Sequence, residues 1–283
     1  MDYRLPLGMS IGFCGEDFYE NLAEAEKNGF EYIDFDIASS WRRPEMEEKY
    51  YRDLEKGIAA VRDAGLKINA VHLSFGKKWD PADKWPHRRK KAVDRLVEII
   101  RRLDPHGPFL YVLHGSFEPI GKLTRERRKK NLLVSLKTLC AATRNTICLE
   151  ILPRTCLLNT SAEAIEILDR ANQKNLKICL DTNHFLQEKT EDAILALAGR
   201  IATTHVSDHD YRDERHLLPG EGKIDWNAVL AALEKTGYQG VFNYELKHPR
   251  IAEAKANYEQ LFGEYNKNKR ACGVILREYT AMI

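Results

Sequence analysis

Short apolar runs, several of them β-branched, alternate with longer amphipathic segments along the whole chain. Eight runs have strand length: Met9–Phe13, Tyr32–Ile37, Ile68–Leu73, Phe109–His114, Thr146–Leu152, Leu176–Asp181, Ile201–Val206 and Gly240–Leu246. Each is followed by a helix-like or mixed polar stretch, the signature of repeated βα units. The punctuation agrees. Glu16-Asp17 opens a helix that runs to Asn28-Gly29, Thr160 or Ser161 caps another with Glu163 in its first turn, and Gly65 or Gly237 closes others. Eight parallel strands with eight helices predict a closed α/β structure, a (β/α)8 TIM barrel, as a single domain over all 283 residues. From about Ala252 to Ile283 the pattern predicts one or two more helices, expected to cover the barrel exterior or to make a homo-oligomer contact.

Six of the runs carry a metal-binding residue type at their carboxyl ends: His72, His114, Glu150, Asp181, His205 and Glu245. In a parallel α/β fold those ends point to one face, so side chains far apart in sequence converge on a common centre. Any one of them reads plainly as a core histidine or a barrel-mouth hydrogen bond; six in register predict a metal site. Carboxylates and imidazoles without thiolates suit Mn, Mg, Co or Zn, and a catalytic rather than a structural ion. Glu150 and Glu245 are expected to face one another across the mouth with Asp181 and His205 between them, giving four ligands around one divalent metal ion. His184, just beyond Asp181, and the Arg215-His216 pair after the seventh strand are candidate substrate ligands or further metal ligands, and His72 and His114 join them as candidate substrate contacts.

Charge and cysteine usage narrow the class. With 44 basic and 42 acidic residues the net charge is +2, which lacks the global positive field of a dedicated nucleic-acid binder. Two basic runs, His87–Lys91 and Arg125–Lys130, are expected to be solvated helix faces, with an anionic ligand or partner surface as the alternative. Six cysteines (Cys14, Cys140, Cys148, Cys156, Cys179 and Cys272) show no C-x-x-C pairing, as expected of reduced thiols, and Cys148 and Cys179 read as core. The start of the chain has no long apolar region and no stretch approaches a membrane span, so a soluble, cytoplasmic protein is expected. No G-x-G-x-x-G or G-x-x-x-x-G-K-[ST] loop follows the first strand, which counts against a doubly wound nucleotide-binding sheet. The loop Lys77–Trp85 would either lid the site or pack its tryptophans onto the next helix. Trp41 carries the same ambiguity, and Pro219–Gly222 reads as a tight turn.

The chain resembles the xylose-isomerase-like barrel superfamily of sugar (phosphate) isomerases and epimerases. The resemblance is carried by C-L-E at Cys148–Glu150, C-L-D-T-N-H at Cys179–His184, T-H-V at Thr204–Val206, R-H-L-L-P-G-E-G-K-I-D-W at Arg215–Trp226 and N-Y-E-L at Asn243–Leu246. It implies that Glu150, Asp181, His205 and Glu245 bind one divalent metal and that Glu150 and Glu245 double as the acid/base pair. The implied chemistry is proton abstraction beside a carbonyl through an ene-diolate, on a small sugar or sugar phosphate. His184 and Arg215 would then hold sugar hydroxyls. The chain departs from some ketose epimerases six residues after Glu150, where Cys156 stands in place of a second glutamate.

Two other chemistries use the same alphabet. Apurinic/apyrimidinic endonucleases of this superfamily hold three zinc ions, and His72, His114, His184, Asp213 or Glu214, and His216 would be the extra ligands. Against that stand the loop Ile151–Cys156, which is not of the nuclease type, a short loop after the first strand, and the near-neutral charge. A lyase or dehydratase would share the proton abstraction and differ by losing a leaving group.

Overall fold

Alternation along the strands decides which side chains enter the barrel. In Thr146–Glu150, Ile147 and Leu149 face the helical layer, while Cys148 joins Ala70, Val112 and Cys179 in a small apolar cluster inside. The computed structural model of the chain describes residues 2–13, 17–37 and 47–281. Trp41, Cys14 and Glu16 lie outside the described residues.

The elements run in the order β1 (Leu7–Gly12), α1 (Phe18–Lys27), β2 (Tyr32–Asp36), α2 (Glu47–Asp63), β3 (Lys67–His72), α3 (Pro86–Leu103), β4 (Leu110–Leu113) and α4 (Lys122–Ala142). They continue with β5 (Thr146–Glu150), α5 (Ser161–Ala171), β6 (Leu176–Asp181), α6 (Thr190–Ala196), β7 (Ile201–Val206), α7 (Trp226–Lys235), β8 (Phe242–Tyr244) and α8 (Ile251–Ala281). All eight strands are parallel and pair in sequence order, and β8 closes on β1. The chain is a (β/α)8 TIM barrel, as the apolar pattern predicts. The register slips twice, between Ile33 and Asp34 where β2 meets β3 and between Ile178 and Cys179 where β6 meets β7. Each slip leaves one residue of the partner strand, Asn69 or Ala202, out of the pairing.

Helix ends follow local chemistry. Thr160 caps α5, its hydroxyl accepting from the Glu163 amide at 3.3 Å. Gly65 and Gly237, at φ +72° and +71°, take the left-handed conformation that ends α2 and α7. The C-terminal pattern resolves into one long helix, α8, which closes over the outside of the barrel. Phe262 packs against Tyr3 and Phe242, and Asn266 exchanges two 2.8 Å hydrogen bonds with the backbone of Tyr3.

The two basic runs part company. The run in α4 is only partly a solvated face: Arg127 and Lys130 are exposed, but Arg125 and Lys129 bind Glu163, and the buried Arg128 pairs with Asp80. On the α3 side, Lys77, Lys78, Arg88, Lys91 and Arg95 line an open groove of about 480 Å³. Trp79 is buried with the Arg95 guanidinium over its ring. Cys140, Cys148, Cys156 and Cys179 are free and buried. No helix among the described residues is long and apolar enough to cross a membrane.

Candidate active site

The carboxyl ends of the strands bring the predicted residues together. His72 ends β3, Glu150 ends β5 and Asp181 ends β6; His205 sits one residue from the end of β7, while His114 and Glu245 follow β4 and β8 directly. Glu150 is the hub. Its Oε2 lies 3.1 Å from His72 Nε2 and 2.8 Å from His114 Nε2, and its Oε1 lies 3.1 Å from His205 Nδ1. The same His205 nitrogen is 3.1 Å from Glu245 Oε2. His72, Glu150, His205 and Glu245 offer ligand atoms all within 4.8 Å of one another, and Glu150, Asp181 and His184 form a second such group. Asp181 therefore joins the expected ligands through Glu150 and His184 rather than through His205.

Hydrogen bonding leaves carboxylate oxygens free at this centre. His184 donates its Nδ1–H to the Ile151 carbonyl at 2.8 Å, so Asp181 Oδ2, only 3.1 Å from that nitrogen, receives no hydrogen bond. His205 Nδ1 serves Glu150, which leaves Glu245 Oε2 without one. Buried carboxylate oxygens without donors are costly unless a cation completes them. The donor set and its unpaired oxygens fit a divalent ion.

The charges are set by burial and by neighbours. Burial alone would pull His72 and His184 down, but the carboxylates around them outweigh it: Glu150 lifts His72 to about 9, and Asp181 with Glu214 lifts His184 to about 10. Burial works against ionised Glu150 and Glu245 too, yet the imidazoles hold both well below the usual carboxylate range. Asp181 goes the other way, raised by burial beyond what His184 offsets. His114 is lowered by burial. The site is a cluster of buried opposite charges, with one carboxylate pushed toward protonation.

Above this floor opens a pocket of about 200 Å³ lined by His72, His114, Glu150, His184, His216 and Glu245. Phe75 forms a wall, its ring stacked on His114 at 4.2 Å. His216 reaches the pocket on a residue at φ +49°, its Nδ1 3.2 Å from the Glu245 carbonyl.

Arg215 corrects the sequence reading. Its guanidinium turns away from the pocket to Asp210, 3.0 Å from the carboxylate, and only its backbone amide points inward, to Asn183 Oδ1 at 2.9 Å. The pocket arginine is Arg154, held by Glu118 at 2.7 Å, Asp213 at 2.8 Å and Glu214 at 2.9 Å. Trp79 and Trp85 do not line the pocket; Phe75, earlier in the same loop, does.

Two motifs act through the backbone. Asn183 Oδ1 accepts from the amides of both Arg215 and His216, tying the end of β6 to the loop after β7. Buried Asp208 accepts from the amides of Gly220, Lys223 and Ile224 and from the Trp226 indole, at 2.8 to 3.1 Å. A Cβ on Gly222 would lie 2.2 Å from Asp208 Oδ1, so only glycine lets this loop close. Neither role shows in residue type alone, because each depends on a contact across the loop.

The profile of the xylose isomerase-like TIM barrel family matches residues 22–264. An inosose isomerase of Bacillus subtilis (strain 168) is 30% identical over 249 residues, covering 83% of this chain and 86% of the relative. A crystal structure of a D-tagatose 3-epimerase-like protein superposes with a TM-score of 0.76 at 21% identity, covering 94% of this chain and 99% of that one. A structure of the IOLI protein with a binding zinc atom superposes with a TM-score of 0.73 at 19% identity, covering 92% and 99%. The chain belongs to the xylose isomerase-like TIM barrel family.

Proposed function

We propose that the protein is a divalent-metal-dependent isomerase or epimerase of an unphosphorylated sugar or related polyhydroxy ketone. The observation that carries this is the convergence of Glu150 and Glu245 on one nitrogen of His205 at the pocket floor, with unpaired oxygens on Glu245 and Asp181 beside it. Glu150, Asp181, His205 and Glu245 would hold the ion. The relatives support this reading: an inosose isomerase and an L-ribulose 3-epimerase of a Methylomonas strain are among them, and a similar structure carries zinc.

Once bound, the ion supplies Lewis-acid stabilisation as negative charge develops on substrate oxygens. Glu245 is the freer of the two acids. Glu150 is gripped by three imidazoles, whereas Glu245 meets His205 alone and faces the pocket. Glu245 removes the proton from the carbon beside the carbonyl, and Glu150, handed a proton by the His72 imidazolium 3.1 Å away, passes it to the other side of an ene-diolate. His114 and His216 offer ring nitrogens to hydroxyls, while both nitrogens of His184 are taken up by the Ile151 carbonyl and by Glu214 at 3.1 Å, and Phe75 walls the pocket.

Charge argues against a phosphorylated substrate. Glu118, Glu150, Glu214 and Glu245 line the pocket, and its arginine is already shared among three carboxylates. A phosphate dianion would find no free guanidinium among the described lining residues to clamp it.

The test is solvent exchange. Metal-loaded protein is incubated with a panel of ketoses and inososes in heavy water, and products are read by mass and NMR. One deuterium at the carbon beside the carbonyl, without loss of mass elsewhere, is expected. Loss of water would mean elimination, and about three tight zinc ions with cleavage of abasic DNA would mean a nuclease. Either would overturn the proposal.

A further inference from the structure

Beneath the pocket floor a second layer of polar side chains fills the barrel where an apolar core would serve packing better. Asp34 of β2 is 1% exposed, and its Oδ2 lies 3.3 Å from His205 Nε2, the ring nitrogen opposite the one that meets Glu150 and Glu245. Neither atom has an aligned hydrogen-bond partner among the described residues, so each is the other's nearest complement without yet being bonded to it. The other Asp34 oxygen accepts from Asn69 Nδ2 at 2.7 Å, and the same amide donates to Thr203 Oγ1 at 2.9 Å. Thr203 lies two residues before His205 on β7, so a closed path runs from Asp34 through Asn69 back to the strand that carries the histidine.

One register slip of the barrel serves this path and the other borders it. The slip at Ile33/Asp34 leaves Asn69 unpaired in β3, and its side chain reaches the interior. The slip at Ile178/Cys179 leaves out Ala202, immediately before Thr203. Bulges re-aim side chains beside active sites and are kept for that purpose. Packing gives no reason for a desolvated carboxylate here.

We propose that Asp34 is the positioning residue for His205: a carboxylate that takes the Nε2–H, fixes the ring and leaves Nδ1 to serve the ion. Histidines that bind metals usually hand their second nitrogen to such an acceptor, and losing it lowers metal affinity 10- to 100-fold. The inference rests on the proposed metal site, but it can fail separately.

Chelator-treated protein is titrated with Mn²⁺ by calorimetry, and the His205 Nε2–H is followed by ¹H–¹⁵N NMR in the Zn²⁺-loaded form. Asp34→Asn, which keeps shape and one acceptor, is expected to weaken Mn²⁺ about 10- to 100-fold, to move the Nε2–H resonance upfield and to leave the thermal midpoint of the metal-free protein nearly unchanged. Asn69→Ser, which releases Asp34 without touching the histidine, is expected to show the same changes in smaller measure, and stands in if Asp34→Asn does not fold. Wild-type affinity together with an unmoved resonance in the variants overturns the role of Asp34 and leaves the proposed function standing. Failure of the wild type to bind any divalent ion overturns both.

Discussion

Two charged regions stand on neighbouring parts of this barrel and are built on opposite terms. The pocket floor gathers Glu150, Asp181, Glu245 and their histidines, nearly all buried and touching one another. The groove beside α3 gathers Lys77, Lys78, Arg88, Lys91 and Arg95, with no carboxylate among the described residues of its lining. Net charge hides this contrast. Between Lys77 and Lys137 there are 17 basic and seven acidic residues, against 27 basic and 35 acidic elsewhere, and the two imbalances nearly cancel to +2. Buried charges survive only where neighbours hold them, so their geometry is specified; exposed cations are solvated and lightly constrained. The proposed chemistry belongs to the first region.

The sharpest break of that contrast is Glu245→Gln or Glu150→Gln. Each keeps shape and removes a proton carrier, so turnover on the substrate found by solvent exchange should fall on the order of 10³-fold, with the circular dichroism spectrum retained. Activity within a few-fold of wild type in either variant would remove that residue from the acid/base pair.

Next comes pH. In the metal-free protein His72 and His184 are raised to about 9 and about 10 from an ordinary 6.5, so the folded state holds their protons more tightly than the unfolded chain does. Their contribution to stability is fully present below about pH 6.5 and is lost as pH rises through 9 to 10. Urea midpoints of chelated protein at pH 6, 8 and 10 should fall in that order. A flat profile would mean that the imidazoles are not held as cations.

A smaller effect is expected at the rim. Arg154→Ala frees Glu118, Asp213 and Glu214 from their common partner and should raise KM about 10-fold, roughly 1.4 kcal/mol, with kcat changed less. The smallest belongs to the groove: Lys78→Glu combined with Lys91→Glu should change stability by under about 0.5 kcal/mol and leave turnover as it was. A large loss of turnover there would erase the distinction between the two regions.

Much of this was legible in the chain, and the parts that were not share a cause. All eight apolar runs became strands within a residue or two at most ends, because burial on both faces writes a continuous apolar signal. The metal-capable residues were legible because parallel strands end on one face whatever the helices do. Arg215 was misplaced because a long side chain in a loop goes to its nearest carboxylate, Asp210, which its position after a strand does not reveal. Arg154 and Phe75 went unseen for the converse reason: nothing in Ile-Leu-Pro-Arg or Ser-Phe-Gly marks a pocket wall. Asp34 sits inside an apolar run where its charge looks like an interruption. Its meaning comes from a register slip between two strands.

By itself the sequence determined the repeat, the barrel and the set of residues at the strand ends, since these follow from periodicity and from the single direction of parallel strands. Only the tertiary structure decided which nitrogen of His205 faces which carboxylate, which arginine enters the pocket and which basic run is paired with acids from the next helix. Those are matters of a few ångströms between side chains distant in sequence, set by register and loop closure rather than by residue type.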